Sequence, residues 1–102
     1  MNELLNTLNE KNILTQITQE IEQFLQNNNG EYCSHQILKK LSPKTQIQLE
    51  QIIKNREGNR PATAGAYIKA VATQICKENP KYKINPQGNC KILKKTNTFS
   101  RI

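Results

Sequence analysis

The hydrophobic pattern of the chain changes its period at Asn79-Pro80, and this change sets the order of its secondary structure. Before this point, apolar residues recur every three to four positions, which is the spacing of one face of an α-helix. After it, apolar and basic residues alternate over 81–84, which is the spacing of a half-buried strand. Proline cannot continue a helix. The pattern therefore predicts a mainly α-helical chain that ends in a short β-structure.

Five helices are predicted from apolar spacing and from residues that favour helix ends. The clearest helix spans 12–27, because four of its apolar residues share one face: Leu14, Ile17, Ile21 and Phe24. The other helices are predicted over 2–10, 34–41, 43–55 and 63–78. Serine, threonine and proline stand at the start of the last three helices, where they are favoured as N-cap or first-turn residues.

A β-hairpin is predicted after the last helix. Its strands are 81–84 and 90–92, and the turn-forming residues of 85–89 make the loop between them. The side chains expected to face the core are Tyr82, Ile84, Cys90 and Ile92. The lysines between them are expected to face outward. A short extended segment is predicted at 31–33.

This order of elements resembles a winged helix-turn-helix domain over about residues 12–95. The resemblance implies that 31–33 joins the hairpin as a third strand. Residues 1–11 would then be an N-terminal extension that can form a helix, and residues 96–102 would be a flexible tail.

The segment 34–55 departs from the simplest form of this fold, because two helices are predicted where that form has one. Either 34–41 is the usual second helix and 43–55 is inserted, or 43–55 is the partner of 63–78. The choice between them decides which helix is presented to DNA.

The charge of the chain is strongly segregated. The 102 residues carry a net charge of +7, but residues 1–32 hold one base and five acids. Residues 33–102 hold fourteen bases and three acids. Such segregation favours a polyanionic partner for the C-terminal part, most often nucleic acid. The alternative is a solvated basic surface that aids solubility.

Double-stranded DNA is the partner that these elements favour, because an α-helix fits the major groove. The residues expected to contact DNA are Arg56, Arg60, Thr63, Lys69, Thr73, Lys77, Lys81, Lys83, Gln87, Asn89 and Lys91. Small Ala66 and Ala70 would let helix 63–78 approach the groove, although small residues also suit close packing between helices. The hairpin lysines have a second possible role, since charges protect exposed strands from aggregation. Lysines far outnumber arginines here, so phosphate contacts are expected to outweigh base reading.

The predicted function is therefore non-catalytic binding of double-stranded DNA, as a transcriptional regulator or an accessory factor. The alternative is a protein-interaction module, an adaptor or inhibitor, that uses the same fold. A single-stranded nucleic-acid binder is less favoured, because the chain has only five aromatic residues for stacking.

No catalytic centre, metal site or cofactor is expected. The candidate metal ligands Cys33, His35, Cys76 and Cys90 lack a C-x-x-C pair. The chain contains no aspartate and one histidine, and no glycine-rich phosphate loop is present.

The N-terminal leucines Leu4, Leu5 and Leu8 fit less easily into the predicted core, and they suggest a homodimer. No apolar run is long enough for a transmembrane helix, and the first residues do not resemble a signal peptide. The expected location is the cytoplasm.

Overall fold

A computed structural model describes residues 3–54, 64–90 and 94–102, with no side-chain description for Glu3, Gln87, 89–90 and 94–96. The helices in these ranges are α1 (Glu3–Glu10), α2 (Leu14–Asn27), α3 (Ser34–Lys40), α4 (Pro43–Lys54) and α5 (Ala64–Glu78). The strands are β1 (Tyr32–Cys33), β2 (Tyr82–Cys90) and β3 (Lys94–Arg101). The prediction of a mainly helical chain with a small C-terminal β-structure is confirmed.

Helix α5 lies at the centre of the molecule. It packs against α1, α2, α3, α4, β2 and β3, and seven of its residues are buried. Its contact with α3 is the most extensive, and Gly65 makes this contact close. A Cβ atom at position 65 would lie 3.2 Å from Nε2 of His35 on α3. Of the two helix pairings that the sequence leaves open, the pairing of α3 with α5 is therefore the closer one.

The three strands form an antiparallel sheet in the order β1-β3-β2. The prediction that the segment after α2 becomes a third strand is confirmed for Tyr32 and Cys33. Fully buried Phe99 of β3 lies between Tyr32 on one side and Ile84 on the other. This row packs the sheet onto the helices, and the ring of Phe24 meets that of Tyr32 at 4.7 Å between centroids.

The predicted hairpin loop over 85–89 is wrong, because these residues belong to β2. A bulge between Asn85 and Gly88 interrupts the pairing with β3, and bulges and edge strands tolerate a proline such as Pro86. A Cβ atom at position 88 would collide with the side chain of Thr98, so glycine is needed there for the close approach of the two strands. Ile92 and the side chain of Cys90, expected in the core, lie outside the described residues.

The predicted flexible tail over 96–102 is also wrong, because most of it belongs to β3, the central strand of the sheet. Thr98 and Ser100 are buried beside Phe99 and have hydrogen-bond partners. The hydroxyl of Thr98 donates to Oε1 of Glu31 at 3.3 Å, and Nδ2 of Asn85 donates to Oγ of Ser100 at 3.0 Å. These bonds offset the cost of burying polar side chains in the strand.

Helix α1 belongs to the core, although residues 1–11 were expected to form an extension outside it. Leu8 is fully buried, Leu5 is 6% exposed, and Leu4 is partly buried against the same core. The expectation that these three leucines form a dimer surface is therefore wrong for Leu5 and Leu8, since the chain's own helices α2 and α5 cover them.

A polar network fixes α4 to α2. The carboxylate of Glu20 accepts hydrogen bonds from the backbone N–H of Ser42, at 2.7 Å, and from the hydroxyl of buried Thr45. Nε2 of Gln16 donates to Oγ1 of Thr45 at 2.5 Å. Because free N–H groups at a helix start favour a negative charge, Glu20 also stabilises the N-terminus of α4.

Replacing Leu8 by alanine should lower the free energy of unfolding by about 2–5 kcal/mol, because it leaves a cavity in the core. The loss should be the same at low and high protein concentration. Chemical denaturation over a wide concentration range measures it. A midpoint that rises with concentration in the wild type, and no longer does so in L8A, would instead support a dimer through α1.

The contact between Glu20 and Thr45 should stabilise the fold in a pH-dependent way. Burial raises the pKa of Glu20, but hydrogen bonds from Thr45, Ser42 and Gln16 outweigh burial and lower the pKa below its ordinary value of 4.5. A lowered folded-state pKa contributes stability above the unfolded pKa, and this contribution is lost as the pH falls through the folded pKa.

A double-mutant cycle with Glu20→Gln and Thr45→Val tests this contact. The coupling energy should be favourable at about pH 7 and should be smaller at an acidic pH below the folded-state pKa of Glu20, because the carboxylate is then protonated. Urea denaturation at both pH values gives the four free energies of unfolding. An equal coupling energy at both pH values would contradict the prediction.

Candidate nucleic-acid interface

The outward side of α5 carries a short basic strip. Lys69 and Lys77 are exposed, and half-buried Thr73 lies between them at helical spacing. All three line one shallow depression, together with Leu4 and Leu5 of α1. These three residues, Lys69, Thr73 and Lys77, are called the α5 strip below. The Thr73 hydroxyl donates to the backbone carbonyl of Lys69 at 2.7 Å, so its oxygen remains able to accept a hydrogen bond.

The α5 strip is narrower than the sequence suggests. Ala70, expected on the outer face, is 9% exposed and belongs to the core. It lines the same depression as Leu4 and Leu5 of α1. The expected outer-face position of Ala70 is therefore wrong, and its burial favours packing between helices, the second role that the sequence leaves open for it. Ala66 is half-buried and borders the strip.

The second basic group lies at the start of β2, with Lys81 immediately before the strand and Lys83 within it. Lys81 and Lys83 are exposed, and Tyr82 between them is buried, so the predicted alternation is confirmed here. The Tyr82 hydroxyl donates to the backbone carbonyl of Glu22 at 3.4 Å and thus faces α2. The two lysines therefore point away from the helices. Because β2 is an edge strand, they also fit the role of protecting that edge.

Arg101 joins this second group in the structure, although it is not among the contact residues predicted from the sequence. Together with Lys81 it lines a depression at the end of the sheet. Its guanidinium donates from Nε to Oδ1 of Asn29 at 2.8 Å and from Nη1 to the carbonyl of Gln26 at 3.3 Å. Arg101 therefore holds β3 against the C-terminal end of α2. No charge or spacing signal in the sequence indicates such a contact, because the partners lie more than 70 residues away.

The structure brings together three of the predicted contact residues in the α5 strip and two more, Lys81 and Lys83, at the start of β2. The other predicted contacts fall outside the described part of the chain: Arg56, Arg60, Thr63 and Lys91, with the side chains of Gln87 and Asn89.

The thiols in the described part of the chain are those of Cys33 and Cys76, and neither is exposed. Burial raises the pKa of the Cys76 thiol to about 11, which keeps it protonated and weakly nucleophilic near neutral pH. Cys33 is buried beside β3. Over residues 3–54, 64–90 and 94–102, no three histidine, cysteine or glutamate side chains are grouped so that they could hold a metal ion.

Within the same ranges, no helix combines the length and the apolar character that crossing a membrane requires.

Comparison with known proteins gives no relative from which a function can be transferred. No protein-family model, no curated protein and no solved structure matches the chain. The charge and the surfaces described above are therefore the basis for a functional proposal.

Proposed function

We propose that the protein binds double-stranded DNA without catalysis, as a transcriptional regulator or an accessory DNA-binding factor. The α5 strip and the β2 lysines, Lys81 and Lys83, are the proposed contact surface. The observation that carries the proposal is the α5 strip itself. The central helix is almost covered by the rest of the fold, and its exposed side chains in the strip are cationic.

The balance of exposed charge supports a polyanionic partner. In the described part of 33–102, nine lysine and arginine side chains are exposed, and the exposed acids are Glu50 and Glu78. A surface with this excess of cations attracts phosphates and releases the counterions condensed on DNA. Binding to DNA would therefore depend steeply on salt.

The arrangement of the elements supports α5 as the helix presented to DNA. Strand β1 joins the pair β2 and β3 as the third strand, which the winged helix-turn-helix resemblance implies. Because α3 packs more closely on α5 than α4 does, α4 is interpreted as the inserted helix. Lys81 and Lys83 then follow α5 directly in the chain, on the strand that corresponds to the wing.

The side chains of the surface favour phosphates over bases, and duplex over single strand. Lysine provides a point charge, whereas bidentate recognition of bases and phosphates suits arginine better. Arg101 is already bonded to Asn29 and Gln26. The five aromatic side chains all lie in the described part, and none is exposed. A stacking surface for unpaired bases is therefore poorly supplied.

Fluorescence anisotropy with a labelled duplex tests the proposal. The variant K69E/K77E reverses both lysines of the α5 strip, and K44E/K54E makes the same change of charge at exposed positions of α4. At low salt, K69E/K77E should weaken duplex binding at least about tenfold more than K44E/K54E does. The reason is that glutamates at the proposed contact positions repel the nearby phosphates, which is a larger change than a loss of attraction.

Two results would contradict the proposal. One is no binding of the wild type to duplex at low salt. The other is equal weakening by the two double variants, which would indicate attraction by net charge without a defined surface. If duplex fails to bind, while one protein partner is captured and lost on K81E/K83E substitution, the protein-interaction module is the correct function.

A further inference from the structure

A second surface feature lies on the other side of α1, and the DNA proposal does not use it. A cavity of about 370 Å³ opens between α1, α2 and α5. The side chains of Leu5 and Leu14 form part of the apolar wall of the cavity. Val71 and Ile75 of α5 also line it and are almost fully buried. Because burial of these side chains excludes water, the floor of the cavity suits an apolar group.

The polar residues of the cavity include one charged group. They are Thr18, Gln74 and Glu78, and the exposed carboxylate of Glu78 lies at the opening. Nε2 of Gln74 donates to Oε1 of Glu78 at 2.5 Å and so holds this carboxylate beside the opening. Among the described residues, none that lines the cavity is a base, and the neighbouring Lys77 borders the depression of the α5 strip.

The electrostatic field at the opening favours a cation. Glu78 is the last residue of α5, so the carboxylate lies at the C-terminus of the helix, where the helix dipole is negative. The carboxylate and the helix dipole therefore both make the electrostatic potential at the opening negative. An ammonium group beside the Glu78 carboxylate would lie in this negative field, while its apolar part filled the cavity.

We infer that the cavity binds a small molecule with an apolar body and a single ammonium end. Its volume is at the lower end of the range for small-molecule sites, about 300–1,000 Å³, and so suits a compact ligand. This inference does not rest on the proposed DNA binding: Leu5 and Gln74 line both depressions, but the Glu78 carboxylate and the apolar wall on which it depends are separate from the lysines of the α5 strip.

Titration of the full chain with n-hexylammonium, followed by methyl NMR, tests the inference. n-Hexanol and hexanoate share the apolar body and replace the ammonium by a neutral or an anionic group. Saturable shifts are expected at Leu5, Val71 and Ile75. Hexylammonium should bind about two- to fivefold more tightly than hexanol, the range for an exposed ion pair, and hexanoate should bind most weakly. Butylammonium should be weaker, by up to about fourfold for each methylene removed.

Two variants separate the charge from the cavity. In E78Q, the preference for hexylammonium over hexanol should be lost. In E50Q, which makes the same change at an exposed position of α4, that preference should remain. Thr18→Phe should fill the cavity and abolish the saturable shifts for every probe, with the remaining methyl spectrum confirming that the protein is folded. The inference is overturned if hexylammonium gives no saturable shifts, if the three probes bind equally, or if the shifts lie away from these residues.

Discussion

The burial of α5 is the constraint on which the rest of the structure depends. All the other helices and the long strands β2 and β3 pack against it. Its buried face combines large side chains such as Tyr67 and Ile68 with small ones, and Gly65 lets His35 of α3 come close. A Cβ atom at position 65 would lie 3.2 Å from Nε2 of His35, so a larger residue there requires the His35 side chain to shift. Apart from Glu78 at its C-terminus, the burial of α5 leaves only the lysines of the narrow α5 strip exposed to solvent.

This narrowness determines what the surface can do. A helix with a wide polar face presents several side chains to the edges of bases, whereas the α5 strip presents two lysines and a threonine. Such a set is suited to phosphates, which a point charge neutralises without a fixed geometry. Helix α1 borders the strip on one side and the apolar cavity on the other, and Leu5 lines both. The N-terminal helix thus shapes two different surfaces of the protein.

The sequence predicts the helices well, because each has an apolar stripe of helical period. It fails at β3, since Thr98 and Ser100 flank Phe99 and hide the apolar alternation that would mark a strand. It fails at 85–89 for a related reason: Pro86 and Gly88 signal a turn, yet a bulge in an edge strand accommodates them. Charge segregation predicts the basic character of the site. The positions of α1 against α5 and of Arg101 against α2 depend on contacts distant in sequence, and no local pattern encodes them.

The dependence of duplex affinity on salt tests most directly whether the α5 strip contacts phosphates. The logarithm of the binding constant falls with the logarithm of salt concentration by about 0.9 for each phosphate contact. If Lys69 and Lys77 each neutralise one phosphate, K69A/K77A should reduce this slope by about 2, and K44A/K54A should leave it unchanged. An unchanged slope in K69A/K77A, or an equal reduction in both variants, would contradict a DNA interface on α5.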